Sequence, residues 1–377
     1  MTKHYIGLMS GTSMDGIDGV ILRRSDDRLD IIQATHLEMP ASLRQELLAL
    51  NQSGRDELHR ANLAANELVR LCARVVQTLL AHARLAVKDI HAIGSHGQTV
   101  RHQPAERGNT PSADQPWQAY TLQLNNPALL AELTGITVVA DFRSRDVAAG
   151  GQGAPLVPAF HRAVFAQAGV NVAVVNIGGM ANATVLPGDS NAVSGYDTGP
   201  GNVLMDLWCE HHTRARFDAN GAWGHQGTAH SRLLAHMLDD PFFRLTGPKS
   251  TGRELFNADW LHRQLADTHT TELRPVDVQA TLRELTAQSI ARSMPESVER
   301  VVVCGGGAFN AHLLQSLATA LRNTSVVSSG DVGLPAMEVE AAAFAWLAEQ
   351  AMYGRPGNLV SVTGAAGPRI LGAIYPA

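Results

Sequence analysis

The group best suited to chemistry in this chain is a single carboxylate set among glycines. Asp197 lies in Ser194-Gly195-Tyr196-Asp197-Thr198-Gly199-Pro200-Gly201-Asn202, where glycine on both sides permits positive φ and close approach of the backbone to a ligand. It is the candidate catalytic residue. The same residues suit an Asx-turn ahead of a helix, and the apolar spacing of Val203, Leu204, Met205, Leu207 and Trp208 predicts such a helix from about Asn202. A second set is the turn Ser10-Gly11-Thr12-Ser13-Met14-Asp15-Gly16, which joins the strand patterns Tyr5–Met9 and Ile17–Leu22 into a β-hairpin. Backbone N–H groups and the Thr12 and Ser13 hydroxyls of such a tip can face phosphate oxygens, and Asp15 or Asp18 could hold Mg²⁺ through water. No G-x-x-x-x-G-K-[ST] is present, and a strand follows this turn, so it is not a Walker A loop.

Two further clusters sit where buried-type strands end. Ser95-His96-Gly97-Gln98-Thr99 follows the strand pattern 89–94, and Asp141-Phe142-Arg143-Ser144-Arg145-Asp146 follows 136–140; such strand ends are where open α/β sheets bind ligands. The glycine-rich 149–155 comes directly after. Two acids and two arginines beside a flexible loop suit a polar anionic small molecule, and they equally suit a structural ion-pair cluster. Residues 105–118 have loop composition and read as a surface excursion.

The strand, glycine tip and strand pattern then recurs. Strand 172–176 ends in Asn176-Ile177-Gly178-Gly179, and strands 183–186 and 193–196 follow. Two such units with facing hairpin tips would grip one nucleotide's phosphates in a cleft. Strand 300–304 runs into Gly305-Gly306-Gly307-Ala308-Phe309-Asn310, where missing side chains admit the flat ring of an adenine or a ribose. Lys249, in the loop 246–254, could meet a phosphate or solvent. Glu338 and Glu340 open a helix, a position the helix dipole favours for acids.

These groups need two supporting cores. A chain of 377 residues exceeds the ~250–300 at which one core stops growing, so two domains are expected, 1–155 and 156–377. Hydrophobic residues make up 45% of the chain, and the 17% charged residues leave a net charge of −5 without a long basic run. That argues against nucleic acid as a partner. Cys72, Cys209 and Cys304 are far apart with no C-x-x-C spacing, which disfavours disulfides and zinc and points to a reducing cytoplasm. No leader pattern opens the sequence and no apolar run reaches the ~20 residues of a membrane span, so neither processing nor a membrane is expected.

The motifs at 7–16, 95–99, 141–143, 150–155, 176–179, 197–202 and 304–310 together resemble, in order, those of the anhydro-N-acetylmuramic acid kinase family, within the superfamily of acetate and sugar kinases, Hsp-type chaperones and actin. The resemblance implies an α/β fold: a duplicated actin-like (ribonuclease H-like) two-domain fold with a central interdomain cleft. It implies an enzyme of peptidoglycan recycling that uses ATP, Mg²⁺ and water to convert 1,6-anhydro-N-acetylmuramic acid to N-acetylmuramic acid 6-phosphate, as a homodimer. Gly11 to Asp18, Asn176, Gly178, Gly179, Gly305, Gly306, Gly307 and Asn310 then become nucleotide contacts. Ser95, His96, Gln98, Asp141, Arg143 and Glu340 become sugar contacts, with Asp197 as general base toward water. The first strand departs from the superfamily pattern in lacking an early Asp, and 105–118 is an insertion. Two other readings are a same-fold kinase acting on an ordinary sugar hydroxyl, and a nucleotide-driven interaction protein.

Overall fold

A computed structural model describes the chain apart from Met1, Thr12, Ser13, Asp27, Arg107, 113–116, Asn191, 246–248, Ser250 and Arg253. It divides into two compact units, Met1–Val164 with Glu338–Ala377, and Phe165–Met337.

The first unit is built on β1 (Lys3–Met9), β2 (Gly16–Ser25), β3 (Arg28–Glu38), β4 (Ile90–Ser95) and β7 (Val138–Ala140), with a small sheet of β5 (Gln98–Gln103) and β6 (Tyr120–Leu124). The main sheet has the order β3-β2-β1-β4-β7 and continues to the C-terminal strand Ala373–Tyr375. β1, β2 and β3 form an antiparallel meander, and β4 and β7 add in parallel beside β1. Alternation along β1 sorts its side chains between faces. Ile6 and Leu8 enter the core with Leu68, Val75 and Leu79 of the helix Glu57–Ala83, whose amphipathic period is the one the sequence shows.

Gly7, between them, serves a different purpose. A Cβ there would collide with the Ala341 carbonyl, and one at Gly94 of β4 with the Phe344 carbonyl. The two glycines let the alanine-rich helix Val339–Met352 lie against the sheet by its backbone. This corrects the expected division at 155/156. Residues 338–377 pack with the first unit, because the helix that carries Glu340 fits the groove of Gly7 and Gly94.

The second unit repeats the plan. β8 (Val172–Ile177), β9 (Met180–Leu186) and β10 (Ser194–Pro200) form the antiparallel meander, and β11 (Arg300–Cys304) and β12 (Ser325–Ser328) add in parallel beside β8, in the order β10-β9-β8-β11-β12. Its core gathers Val175, Val301 and Val303 from the sheet with Phe256 from the loop before the helix Ala258–Asp267, and Trp260 and Leu285 from helices. The same five-strand order in both units is the duplicated actin-like (ribonuclease H-like) fold.

Candidate active site

In the first unit, β1, β4 and β7 run in parallel, and their carboxyl ends deliver the turn 10–16, Ser95 to Gln98, and Asp141 to Arg143. Arg143 is the hub. Its Nε donates to His96 Nε2 at 3.0 Å and its Nη1 to the Gly153 carbonyl at 2.7 Å. Acceptance at Nε2 places the imidazole proton on Nδ1. Burial, with the Arg143 charge beside it, holds His96 well below the usual histidine range, so it is neutral at physiological pH. Burial also lowers Arg143 to about 10, against the opposing pull of Glu340 and then Asp146; it stays charged at neutral pH. Glu340 is raised by burial, an effect that Arg143 offsets and Asp18 reinforces. Asp18, Glu340, Arg143 and His96 therefore form one electrostatic cluster at this sheet edge.

Asp141 stands exposed at the end of β7 with φ of 60°, and its Oδ1 accepts from Ser144 Oγ at 2.5 Å. A non-glycine residue in this region carries backbone strain of the kind found at functional sites. Ser95 and Gln98 are almost fully buried and internally satisfied: Asn125 donates to the Ser95 hydroxyl, and Ser10 donates to Gln98 Oε1. They shape the loop that presents His96.

Asp146, by contrast, has a structural role that its neighbours in sequence did not reveal. It is wholly buried and accepts from the Gly153 N–H at 2.8 Å, Asn358 Nδ2 at 2.7 Å and Thr363 Oγ1 at 2.8 Å. It thereby ties the glycine-rich loop that Arg143 grips to the C-terminal segment.

At the first hairpin tip, Thr12 and Ser13 lie outside the described residues. The Met14 N–H donates to the Gly11 carbonyl at 3.2 Å. Met14 and Ile17 were expected at the nucleotide, but their side chains are in the core, leaving only their backbone for a ligand. Apolar side chains at a turn edge gain more from the core than from solvent. Gly16 faces the His36 ring across the sheet. Asp18 is partly exposed, and its Oδ1 meets His36 Nδ1 at 2.7 Å. Burial raises Asp18, the His36 contact lowers it, and Asp15 raises it, so two carboxylates share this tip. No cluster of three metal-ligating side chains occurs among the described residues.

In the second unit, the carboxyl ends of β8 and β11 carry Gly178-Gly179 and Gly305 to Gly307. The Gly178 and Gly179 carbonyls accept from the N–H groups of Gly201, Asn202 and Val203, so this tip is welded to the start of the helix Val203–Thr213. Gly178 N–H is engaged with the Met180 carbonyl.

The three glycines at 305–307 separate by cause. Gly305 has φ of 77° and sits against Asn176 Oδ1, and Gly307 sits against the Ile177 side chain. A Cβ on Gly306 would meet only Asn202 Nδ2, at 3.5 Å, an ordinary contact. Packing explains two of the glycines and leaves the third open to a ligand. Asn310 caps the helix Ala311–Ala320, its Oδ1 accepting from the Leu313 N–H at 2.9 Å.

Asp197 lies within β10 at an irregularity in its pairing with β9. Its N–H donates to the Lys249 carbonyl, and its Oδ2 accepts from the Thr251 N–H, both at 2.9 Å. An Asx-turn would instead bond the carboxylate to backbone two residues on. Burial raises Asp197, the Thr251 bond pulls it back and Glu254 raises it again. Raising a carboxylate toward the working pH suits a general base. Lys249 is partly exposed, and its Nζ donates to the Phe242 carbonyl at 3.2 Å and lies over that ring. The grip of Lys249 and Thr251 on Asp197 has no sequence signal beyond a cluster of polar residues and glycine in 249–254.

The family model for anhydro-N-acetylmuramic acid kinase matches residues 3–377. The chain is 52% identical to the anhydro-N-acetylmuramic acid kinase of Albidiferax ferrireducens, covering all of both chains. It is 54% identical to that of Bordetella avium, over 99% of this chain and 96% of the relative. Among solved structures it is similar to component A of the (R)-2-hydroxyglutaryl-CoA dehydratase of Acidaminococcus fermentans, with TM-score 0.49, 11% identity, 91% of this chain and 96% of the other. With a match that spans both units and every motif above, the chain belongs to the anhydro-N-acetylmuramic acid kinase family.

Proposed function

We propose that this protein is an ATP-dependent kinase of peptidoglycan recycling that opens 1,6-anhydro-N-acetylmuramic acid with water and phosphorylates O6, giving N-acetylmuramic acid 6-phosphate and ADP. Asp197 removes a proton from the water as its oxygen attacks C1. The C1–O6 bond breaks, and O6 takes the γ-phosphoryl group, so no second carboxylic acid has to protonate the leaving oxygen. This joins half of an inverting glycosidase to a kinase. The observation that carries the assignment of Asp197 is the grip on its carboxylate by a segment 54 residues away in sequence, which a local turn does not need.

Arg143, Glu340, His96 and Asp141 are assigned to the sugar, with Arg143 suited to its carboxylate. Ser95 and Gln98 support them from behind. The backbone of 11–18 and of 178–179 is assigned to the phosphates, and Gly306, flanked by Gly305 and Gly307, to the adenosine, with Asn176 and Asn310 holding that turn in shape. Asp15 and Asp18 suit a water-mediated Mg²⁺, since Asp18 keeps one oxygen clear of His36 and the two charges already repel each other. Such an ion supplies charge stabilisation to phosphoryl transfer. The proposal extends to a homodimer in the cytoplasm; the three cysteines are buried thiols, as suits a reducing compartment.

Incubation with ATP and the anhydro sugar, followed by mass spectrometry, tests the reading. A product heavier by phosphoryl plus water supports ring opening. A gain of phosphoryl alone would indicate a simple hydroxyl kinase, and ATP turnover indifferent to sugar would overturn both.

A further inference from the structure

We infer that Thr251 is a further catalytic residue of this reaction, its hydroxyl holding the attacking water that Asp197 deprotonates. The inference rests on the reading of Asp197 as the base. Two observations carry it independently. The first is placement. The Thr251 N–H donates to Asp197 Oδ2 at 2.9 Å while the Asp197 N–H donates to the Lys249 carbonyl at 2.9 Å, so Lys249 and Thr251 hold Asp197 from both its backbone and its carboxylate, with Oδ2 committed and Oδ1 without a hydrogen bond among the described residues. The Thr251 hydroxyl is three covalent bonds from that donating nitrogen, close enough for one water to span from it to the carboxylate. The segment is anchored there: the N–H groups of Leu255 and Phe256 both donate to the Gly252 carbonyl, and Phe256 is fully buried in the core.

The second observation is that Thr251 Oγ1 is buried and makes no hydrogen bond among the described residues. A buried hydroxyl without a partner is unfavourable, and a group of the same shape without the oxygen would serve the fold as well or better. Among the described residues, Thr251 therefore gains nothing structurally from its hydroxyl. A water bridging Oγ1 and Asp197 Oδ1 would satisfy it and fix the direction of attack, the kind of placement from which positioned catalysis draws its rate.

The experiment compares Thr251→Val, Thr251→Ser and Asp197→Asn for kcat, KM for both substrates, and thermal melting. Thr251→Val keeps the backbone N–H and the side-chain shape. It is expected to melt at or above the wild-type temperature and to keep its KM for ATP, yet to lose roughly tenfold or more in kcat, the size of one lost hydrogen bond. Thr251→Ser is expected to stay within about threefold of wild type, since it restores the bond. Wild-type kcat in Thr251→Val overturns the inference. Should Thr251→Val fail to fold, the kcat ratio of Thr251→Ala to Thr251→Ser isolates the hydroxyl, and equal rates overturn the inference. Asp197→Asn separates the two claims. If it is inactive while Thr251→Val is fully active, only the Thr251 inference fails; if it stays active, the reading of Asp197 fails regardless of Thr251.

Discussion

Substituting Gly7 by alanine tests whether the docking of the helix Val339–Met352 positions the sugar-binding charges. The added Cβ would meet the Ala341 carbonyl first, then the Ala345 nitrogen at 2.7 Å. Both are backbone atoms, so no side-chain rotation can relieve the contact, and the helix must move or the strand must shift. Overpacking of this kind costs about 1–3 kcal/mol. Each kcal/mol lowers the melting temperature of a domain of this size by roughly 2–4 °C, so Gly7→Ala should melt about 2–12 °C below wild type. Function should respond more selectively. Displacing the helix moves Glu340 relative to Arg143, so KM for the anhydro sugar should rise while KM for ATP, assigned to other elements, changes little. Differential scanning fluorimetry and steady-state kinetics read both. A Gly7→Ala protein with wild-type melting and wild-type sugar KM would refute the claim that this glycine sets the helix position.

Gly306→Val should fold normally, because its Cβ site is open, yet weaken ATP binding; unchanged ATP affinity by calorimetry would remove the adenosine assignment. Asp197→Asn should lower kcat by ~10²-fold or more, and turnover above about a tenth of wild type, against that minimum, would return Asp197 to a structural role. The wild-type kcat/KM should rise with pH along an acid limb lying above the ~3.9 of a free aspartate, since the base must be ionised and burial raises it; a limb at or below that value would contradict the site. The folded state binds this proton more tightly than the unfolded, so stability declines as pH rises from the unfolded to the folded pKa. Asp197→Asn should abolish that decline and melt no lower than wild type at neutral pH. Asp146→Ala should cost about 3 kcal/mol or more, since three buried donors lose a charged acceptor; a near-wild-type melt would contradict its role as the anchor of the 150–153 loop.

How far the sequence carries depends on the range of the interaction that fixes each residue. The two hairpin tips, the parallel strands and the clusters at their ends were legible because strand period and glycine turns are local signals, and the repeat of the pattern announced the duplication. Interactions spanning long stretches of chain were not legible. Gly7 reads as an ordinary strand glycine until the helix some 330 residues later is seen to need it. For the same reason the sequence alone does not show that the C-terminal forty residues pack with the first unit. Asp146 and Asp141 are five residues apart and looked alike, yet one is sealed by Asn358 and Thr363 and the other is exposed with a strained backbone.

The division at Asp197 is the most instructive. Glycine on both sides fits an Asx-turn and a catalytic loop equally well, and no local pattern separates them. What separates them is the destination of one carboxylate oxygen. In a turn it would be used by the next residues of its own loop. Here a distant segment takes Oδ2, while burial lifts the group's pKa against the pull of the Thr251 bond. A buried carboxylate held from outside its own turn costs the fold more than asparagine would at the same place. Such a cost without structural return is what a base awaiting its substrate should show.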